Sequence, residues 1–272
     1  MTVQPLASAH LHIDDHGGSG RPVVLIHGWP LSGAAWEHQL PALQSAGYRA
    51  ITYDRRGFGR SDKTTSGFDY DTLASDLDAV LTDLDLGDAT LVGFSMGGGE
   101  VARFVSRHNI DRLRSVVFAS AIPPFMLKTA DNPDGPLTEA KAKIMEDAVR
   151  KDRDSFFDQF TKDFFTAGTT LKVSETERLK ALALCQQSDQ TALLACMKAF
   201  ATTDFREDLT SVTMPALVLH GDSDGIVPFE GSGARTQKAI PNCRLVVLEG
   251  APHGCNVSHA AQFNAALIDF LQ

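Results

Sequence analysis

The stretch that most constrains this chain is Gly93-Phe94-Ser95-Met96-Gly97. Ala89-Thr90-Leu91-Val92 before it is short, apolar and β-prone, which predicts a buried strand. Residues 98–105 after it predict a helix, with Glu100 in the first turn and Arg107-His108 near the end, charges that suit the helix dipole. Strand, sharp turn and helix around G-x-S-x-G is the setting of a nucleophilic serine. Such a turn drives its central residue into a strained, positive-φ conformation. Side chains on either flank would clash there, and Gly93 and Gly97 remove them. The Ser95 hydroxyl is then lifted above the sheet at a helix N-terminus, where the dipole and the Met96 amide favour negative charge. The competing reading is a glycine-rich turn with an incidental serine, and the partners further along the chain weigh against it.

The flanking sequence alternates strands and helices. Residues 8–14 alternate, with Ala9, Leu11 and Ile13 predicted inward, and read as an edge strand. Residues 22–26 predict a buried strand that runs into His27-Gly28-Trp29-Pro30. An amphipathic helix is predicted over 36–46, a strand over 48–53, and a tight salt-bridged structural turn over 54–62. A helix over 70–84 carries Leu73, Leu77, Val80, Leu81 and Leu84 on one face. After a strand at 113–119 the periodicity changes. Residues 125–210 are helix-prone, with helices predicted over 137–150, 155–165, 174–188 and 190–202. Strands return at 215–220 and 244–248, with helices at 233–239 and 260–271. The expected organisation is therefore a core of residues 1–124 and 211–272, with 125–210 inserted as a helical cap. The 272 residues suffice for one α/β domain plus such an insertion.

Two late loops supply partners for Ser95. Gly221-Asp222-Ser223-Asp224 follows one strand and Gly250-Ala251-Pro252-His253-Gly254 follows the last. Parallel sheets place their sites at such C-terminal strand ends. The order serine, acid, histidine fits a nucleophile, an orienting carboxylate and a general base. His253 is the expected base. Asp222 and Asp224 compete for the acid, and we take Asp224. The amides of Trp29 and Met96 are the expected pair of oxyanion donors, and His27 is expected to brace the loop by hydrogen bonds. Most of the cap phenylalanines are expected to pack the cap onto the core, and a minority to line an apolar pocket over Ser95. Its candidate lining is Pro30, Phe94, Phe125, Phe165 and Val227.

Composition bounds the partners. A net charge of −9 disfavours nucleic acid and anionic membranes. Cys185, Cys196, Cys243 and Cys255 form no C-x-x-C pair, so reduced structural thiols in a cytoplasmic protein are expected. Residues 1–20 lack the pattern of a signal peptide, and no stretch is apolar enough to span a membrane. No metal is expected: His12 and His16 have a spacing that aligns ligands only on a helix, and H-E-x-x-H is absent.

Five stretches together resemble one family: His27-Gly28-Trp29-Pro30-Leu31, the 53–61 loop with Asp54-Arg55-Arg56-Gly57, the run from Gly93 to Arg103, His220-Gly221-Asp222-Ser223-Asp224 with Ile226-Val227-Pro228, and Pro252-His253-Gly254. The chain looks like an α/β-hydrolase of the cofactor-free haloperoxidase (perhydrolase)/aryl esterase group. The resemblance implies a mostly parallel sheet flanked by helices, with an inserted helical cap. It makes the fourth position of the Gly-x-x-Asp turn, Asp224, the acid of a Ser95–Asp224–His253 triad. It implies hydrolysis of small carboxylic esters through an acyl-serine, with no cofactor. Members with proline after the oxyanion tryptophan, as Pro30 is here, resemble perhydrolases, in which hydrogen peroxide attacks the acyl-enzyme and yields a peracid. The implied partners are a small-molecule ester and hydrogen peroxide, and a homo-oligomer is compatible. Rival readings on the same residues are amide or lactone cleavage, including γ-lactamase or acyl-lactone activity, a lyase without an acyl-enzyme, and a non-enzymatic binder that retains the fold.

Overall fold

Mostly apolar runs of five to seven residues, with a three-residue edge strand, form one central sheet. The computed structural model describes residues 9–272. Its strands are β1 (Ile13–Asp15), β2 (Pro22–Ile26), β3 (Arg49–Tyr53), β4 (Ala89–Phe94), β5 (Leu113–Ala119), the small hairpin β6 (Thr166–Ala167) and β7 (Thr170–Leu171), then β8 (Ala216–Gly221) and β9 (Arg244–Leu248). The main sheet has 7 strands in the order β1-β3-β2-β4-β5-β8-β9. Only β1 pairs antiparallel; the other neighbours are parallel. Parallel strands need crossover connections, and helices on both faces bury them. Val23, Val24, Leu25 and Ile26 of β2 are accordingly all inaccessible to solvent.

The helices are α1 (Leu40–Ser45), α2 (Tyr70–Asp83), α3 (Met96–Arg107), α4 (Glu139–Lys151), α5 (Arg153–Phe165), α6 (Glu175–Gln186), α7 (Gln190–Thr202), the short α8 (Arg206–Leu209), α9 (Gly233–Ala239), α10 (Cys255–Ser258) and α11 (Ala260–Leu271). Helices α4 to α8 and the small hairpin all fall between β5 and β8, so this long segment interrupts the sheet only in sequence. Side-chain oxygens of Thr138, Asp152, Ser174 and Asp189 cap α4, α5, α6 and α7. Each cap satisfies an amide that the first turn leaves unpaired. No helix among the described residues is long and apolar enough to cross a membrane.

Several elements differ from expectation for local reasons. The first strand begins at Ile13, and Ser8 lies outside the described residues. Its partner β3 ends at Tyr53, opposite Ile13, so the ladder has nothing further to pair with. Residues 10–12 instead bond to the 54–62 loop: the His12 amide donates to Ser61 Oγ at 2.8 Å, and the Asp54 amide to His12 O at 2.9 Å. The helix predicted over 36–46 is split into a 3₁₀ turn, Gly33–Trp36, and α1. Pro41 lacks an amide hydrogen and is accommodated only in the first turn, which fixes the start of α1 beside it.

Helix α3 starts at Met96, earlier than predicted, so Glu100 leaves the first turn. It is fully buried and accepts from Arg55 Nε at 2.5 Å and from the Tyr53 hydroxyl at 2.7 Å. Arg55 is also buried, and its guanidinium donates to the His27 carbonyl at 2.6 Å. This one ion pair ties the ends of β2 and β3 to the helix that follows Ser95. Removing a single partner from such a pair leaves a charge buried without compensation, which costs about 3–5 kcal/mol. We expect Glu100→Gln to lose stability on that scale, read as a lowered urea midpoint, whereas an unchanged midpoint would show that the pair does not secure these loops.

Candidate active site

The C-terminal ends of β2, β4, β8 and β9 converge on one point. At the end of β4 the chain reverses into α3 through Ser95, whose φ is 53° and ψ −117°. A Cβ on Gly93 would sit 2.5 Å from the Gly97 carbonyl oxygen, and one on Gly97 would sit 2.6 Å from the Ile26 carbonyl oxygen. Both obstacles are backbone, so neither glycine can carry a side chain without moving the turn. Ser95 occupies the N-cap position of α3, yet its hydroxyl makes no capping hydrogen bond. It lies 3.0 Å from His253 Nε2 instead.

His253 Nδ1 lies 2.7 Å from Asp224 Oδ2. The other Asp224 oxygen accepts from the amides of Ile226, at 2.9 Å, and Val227, at 2.8 Å. A carboxylate that accepts only from donors places the proton on Nδ1 and leaves Nε2 to accept from Ser95. Burial acts to raise the Asp224 pKa, but the electrostatic attraction of His253 and hydrogen bonds from His220 and His253 outweigh it. The carboxyl is held well below the usual range and is ionised throughout the neutral region. Asp222 turns away: its Oδ1 accepts from the Gly250 amide at 2.7 Å and ties the two late loops together.

Three further groups support this arrangement. His220 is completely buried under the acid, with Nε2 2.8 Å from the Val227 carbonyl and 3.2 Å from Asp224 Oδ2. Nothing local in the sequence distinguishes such a histidine at a strand end from an ordinary surface or packing residue. Neutral His27 accepts the Arg55 amide at Nε2, at 2.9 Å, and donates from Nδ1 to the Gly28 carbonyl, also at 2.9 Å. The Trp29 indole donates to the Leu193 carbonyl of α7 at 3.0 Å. Among the described residues, no hydrogen-bond partner engages the Trp29 or the Met96 amide.

A cavity of about 400 Å³ opens above Ser95. Trp29, Ile122, Phe160, Phe200, Val227 and His253 line its apolar depth, and Lys141, Gln159 and Asp163 its mouth. Of the five pocket residues proposed from sequence, Val227 lies in this wall and the other four lie elsewhere. Phe94 packs below His253, ring centroids 5.2 Å apart. Phe165 is buried edge-on against Phe164 and touches Gly254. Phe125 sits under the Arg206 guanidinium at 5.5 Å, and Pro30 is enclosed in the turn closed by the Leu31 amide on Gly28 O. Each side chain points into packing that only the folded chain creates. Three of the cap phenylalanines, Phe156, Phe160 and Phe200, do line it, while Ile122, Met126 and Met145 join them without any signal in the sequence beyond being apolar.

One group outside this site, Glu37, His38 and Glu177, brings ligand-type atoms together among the described residues. Lys180 Nζ lies 3.0 Å from both carboxylates, so their charge is already met. The four cysteines are unpaired and buried, and burial pushes the Cys255 thiol, beside the His253 loop, up to about 12.

Comparison with known proteins agrees with this geometry. Residues 21–260 match the family described as alpha/beta hydrolase fold. The chain is 45% identical over 259 residues, 93% of each chain, to a non-heme chloroperoxidase of Kitasatospora aureofaciens. It is 36% identical over 261 residues, 95% of this chain and 94% of the relative, to a bifunctional esterase/perhydrolase of Acinetobacter calcoaceticus. The crystal structure of a bromoperoxidase from Bacillus anthracis superposes with a TM-score of 0.95 at 51% identity, covering 97% of this chain and 95% of that one. The chain belongs to the α/β-hydrolase family, in the group of the non-heme haloperoxidases and esterase/perhydrolases.

The buried His27 yields a pH dependence. Burial, with the Arg55 charge added, holds its pKa well below the ordinary 6.5. Below that pH the unfolded chain binds a proton that the folded one refuses, so this contribution to stability is present above 6.5 and is lost as the pH falls. We expect wild type to be more stable than His27→Gln near neutrality, and the gap to narrow from about pH 7 to about pH 5 in urea titrations. A gap that stays constant would mean that the imidazole is not held neutral.

Proposed function

We propose that this enzyme is a serine esterase of small carboxylic esters and that hydrogen peroxide can replace water in its second step. The observation that carries the reading is the chain of contacts Ser95 Oγ–His253 Nε2 and Nδ1–Asp224, buried at the floor of a largely apolar cavity. In the first step Ser95 Oγ attacks the ester carbonyl while His253 Nε2 takes its proton. Negative charge develops on the carbonyl oxygen, and the unengaged amides of Trp29 and Met96 are the donors we assign to it. The intermediate collapses as His253 returns the proton to the departing alcohol. Water or peroxide then attacks the acyl-serine with His253 as base again, releasing an acid or a peracid. Asp224 holds the imidazole in the tautomer that both steps need.

We take residues 125–210 as the cap that sets which acyl groups fit. Its residues Met126, Phe160 and Phe200 line the same cavity as Ser95 and support a compact, apolar acyl site. The esterase/perhydrolase and haloperoxidase relatives support the peroxide branch, since a peracid released into solution oxidises halide without a metal or haem. The buried, unpaired thiols support a cytoplasmic location.

Replacement of Ser95 by alanine should abolish ester hydrolysis, a loss on the order of 10⁶ in kcat, while the circular dichroism spectrum is retained. Wild-type turnover by the purified variant would remove the serine mechanism. Asp224→Asn should cost on the order of 10⁴ in kcat because the imidazole loses its partner, and Asp222→Asn should cost far less. The opposite ranking would transfer the acid role to Asp222. With an acetate ester and peroxide, wild type should generate oxidant read by bromide-dependent halogenation of a dye. Hydrolysis without oxidant would leave the esterase and eliminate the peroxide branch.

A further inference from the structure

Two methionines, Met126 and Met145, line the cavity above Ser95. Met126 is 4% exposed and lies just after β5, while half-buried Met145 projects from α4. Both line the same cavity of about 400 Å³ as Ser95, His253 and Trp29. Met126 is held in place by its backbone: its carbonyl accepts the Leu137 amide at 2.9 Å. The ester chemistry gives these sulfurs no task beyond filling apolar space, for which leucine would serve as well. The other described methionines lie outside the cavity lining. Met96 and Met197 are buried, and half-buried Met214 precedes β8 at the opposite end of the sheet from Ser95.

We propose that Met126 and Met145 form a self-modification site, at which peracid made on Ser95 oxidises the thioether to a sulfoxide before it leaves the cavity. The inference rests on the peroxide branch proposed above. A sulfur lone pair attacks the hydroxyl oxygen of the peracid. The S–O bond forms as the O–O bond breaks, and the hydroxyl proton passes to the departing carboxylate, which leaves as the carboxylic acid. Sulfur loses two electrons and the peracid gains them, so no further reactant is required. Proximity favours this path, because oxidant and sulfide are brought together in one pocket of about 400 Å³ at high effective concentration before the oxidant escapes through its mouth. The cysteines do not compete: none lines the cavity, and burial keeps their thiols protonated and unreactive. A sulfoxide is polar and chiral, so one placed in this wall converts an apolar acyl site into a polar one. Oxidation thereby turns peracid production into a change of acyl preference, reversible wherever a sulfoxide reductase acts.

The test separates oxidant made inside the cavity from oxidant arriving from solution. Purified protein is treated with ethyl acetate and hydrogen peroxide, with peroxide alone, or with preformed peracetic acid, each in the presence of excess free methionine as a scavenger. Sulfoxide is then quantified at each methionine by peptide mass spectrometry. With ester and peroxide, Met126 and Met145 should exceed Met214 several-fold. With preformed peracetic acid the order should follow exposure, so Met126 falls behind Met214. Ser95→Ala, verified as folded, should lose the preference for Met126 in the first condition. A parallel assay by bromide-dependent dye halogenation establishes whether peracid is made at all. Peracid production with the same oxidation order in all conditions would overturn the self-modification site and leave the perhydrolase reading standing. No peracid would overturn both.

Discussion

The strained backbone at Ser95 is the constraint to which the site answers. A non-glycine residue at φ 53° costs on the order of 1–3 kcal/mol, and the surrounding contacts must enforce it. The Ser95 amide donates to Ala119 O of β5 at 2.9 Å, while its carbonyl accepts from the amides of Gly98 and Ile122. The turn is thus held by α3, by β5 and by the segment that leaves β5. Close approach of Gly93 to Gly97 and of Gly97 to Ile26 leaves no room for relaxation. With the serine fixed between adjacent parallel strands, the β8 and β9 loops bring acid and histidine to it by sheet order alone.

A second layer of buried charge keeps those strand ends in register. Arg55, Glu100, Tyr53 and His27 are all inaccessible, and they connect β2, β3 and α3 through directed hydrogen bonds. A buried ion pair adds little net stability when intact, but a half-broken one is costly, so the network acts mainly to exclude other loop arrangements. One consequence is chemical. The tautomer of His27 is set by the Arg55 amide, and its Nδ1 proton is committed to Gly28 O beside the Trp29 amide. The loop that carries the Trp29 amide is therefore oriented by a group with no direct part in the chemistry proposed.

The helical segment is joined to the same loops rather than merely resting on them. Trp29 is bonded to α7 through its indole and is surrounded edge-on by Phe156, Phe160 and Phe200. The Gly254 amide, next to His253, donates to Phe164 O at the end of α5 at 2.8 Å. Movements of α5 or α7 would shift both the Trp29 loop and the loop that carries His253. The cavity walls and the Ser95–His253–Asp224 group are in this sense one packed unit.

The sequence by itself determined the parts whose physics is local. Strand, turn and helix around Ser95 were legible because glycine spacing, apolar runs and helix periodicity act over a few residues. The candidate acid and base were legible as loop residues after late strands, and the helical segment as a change of period. Tertiary structure decided whatever depends on direction between distant segments. Asp222 and Asp224 are two residues apart and chemically alike. Only the fold turns one toward His253 and the other toward Gly250. Glu100 had the charge of a helix-end residue, yet a helix that begins at Met96 carries it into the core to meet Arg55. Phe94, Phe125 and Phe165 had the right chemistry for a pocket wall, but packing turned them to other neighbours while Met126, Met145 and Ile122 took the wall. Hydrophobicity is non-directional, so a sequence can specify that a side chain is buried but not which neighbour buries it.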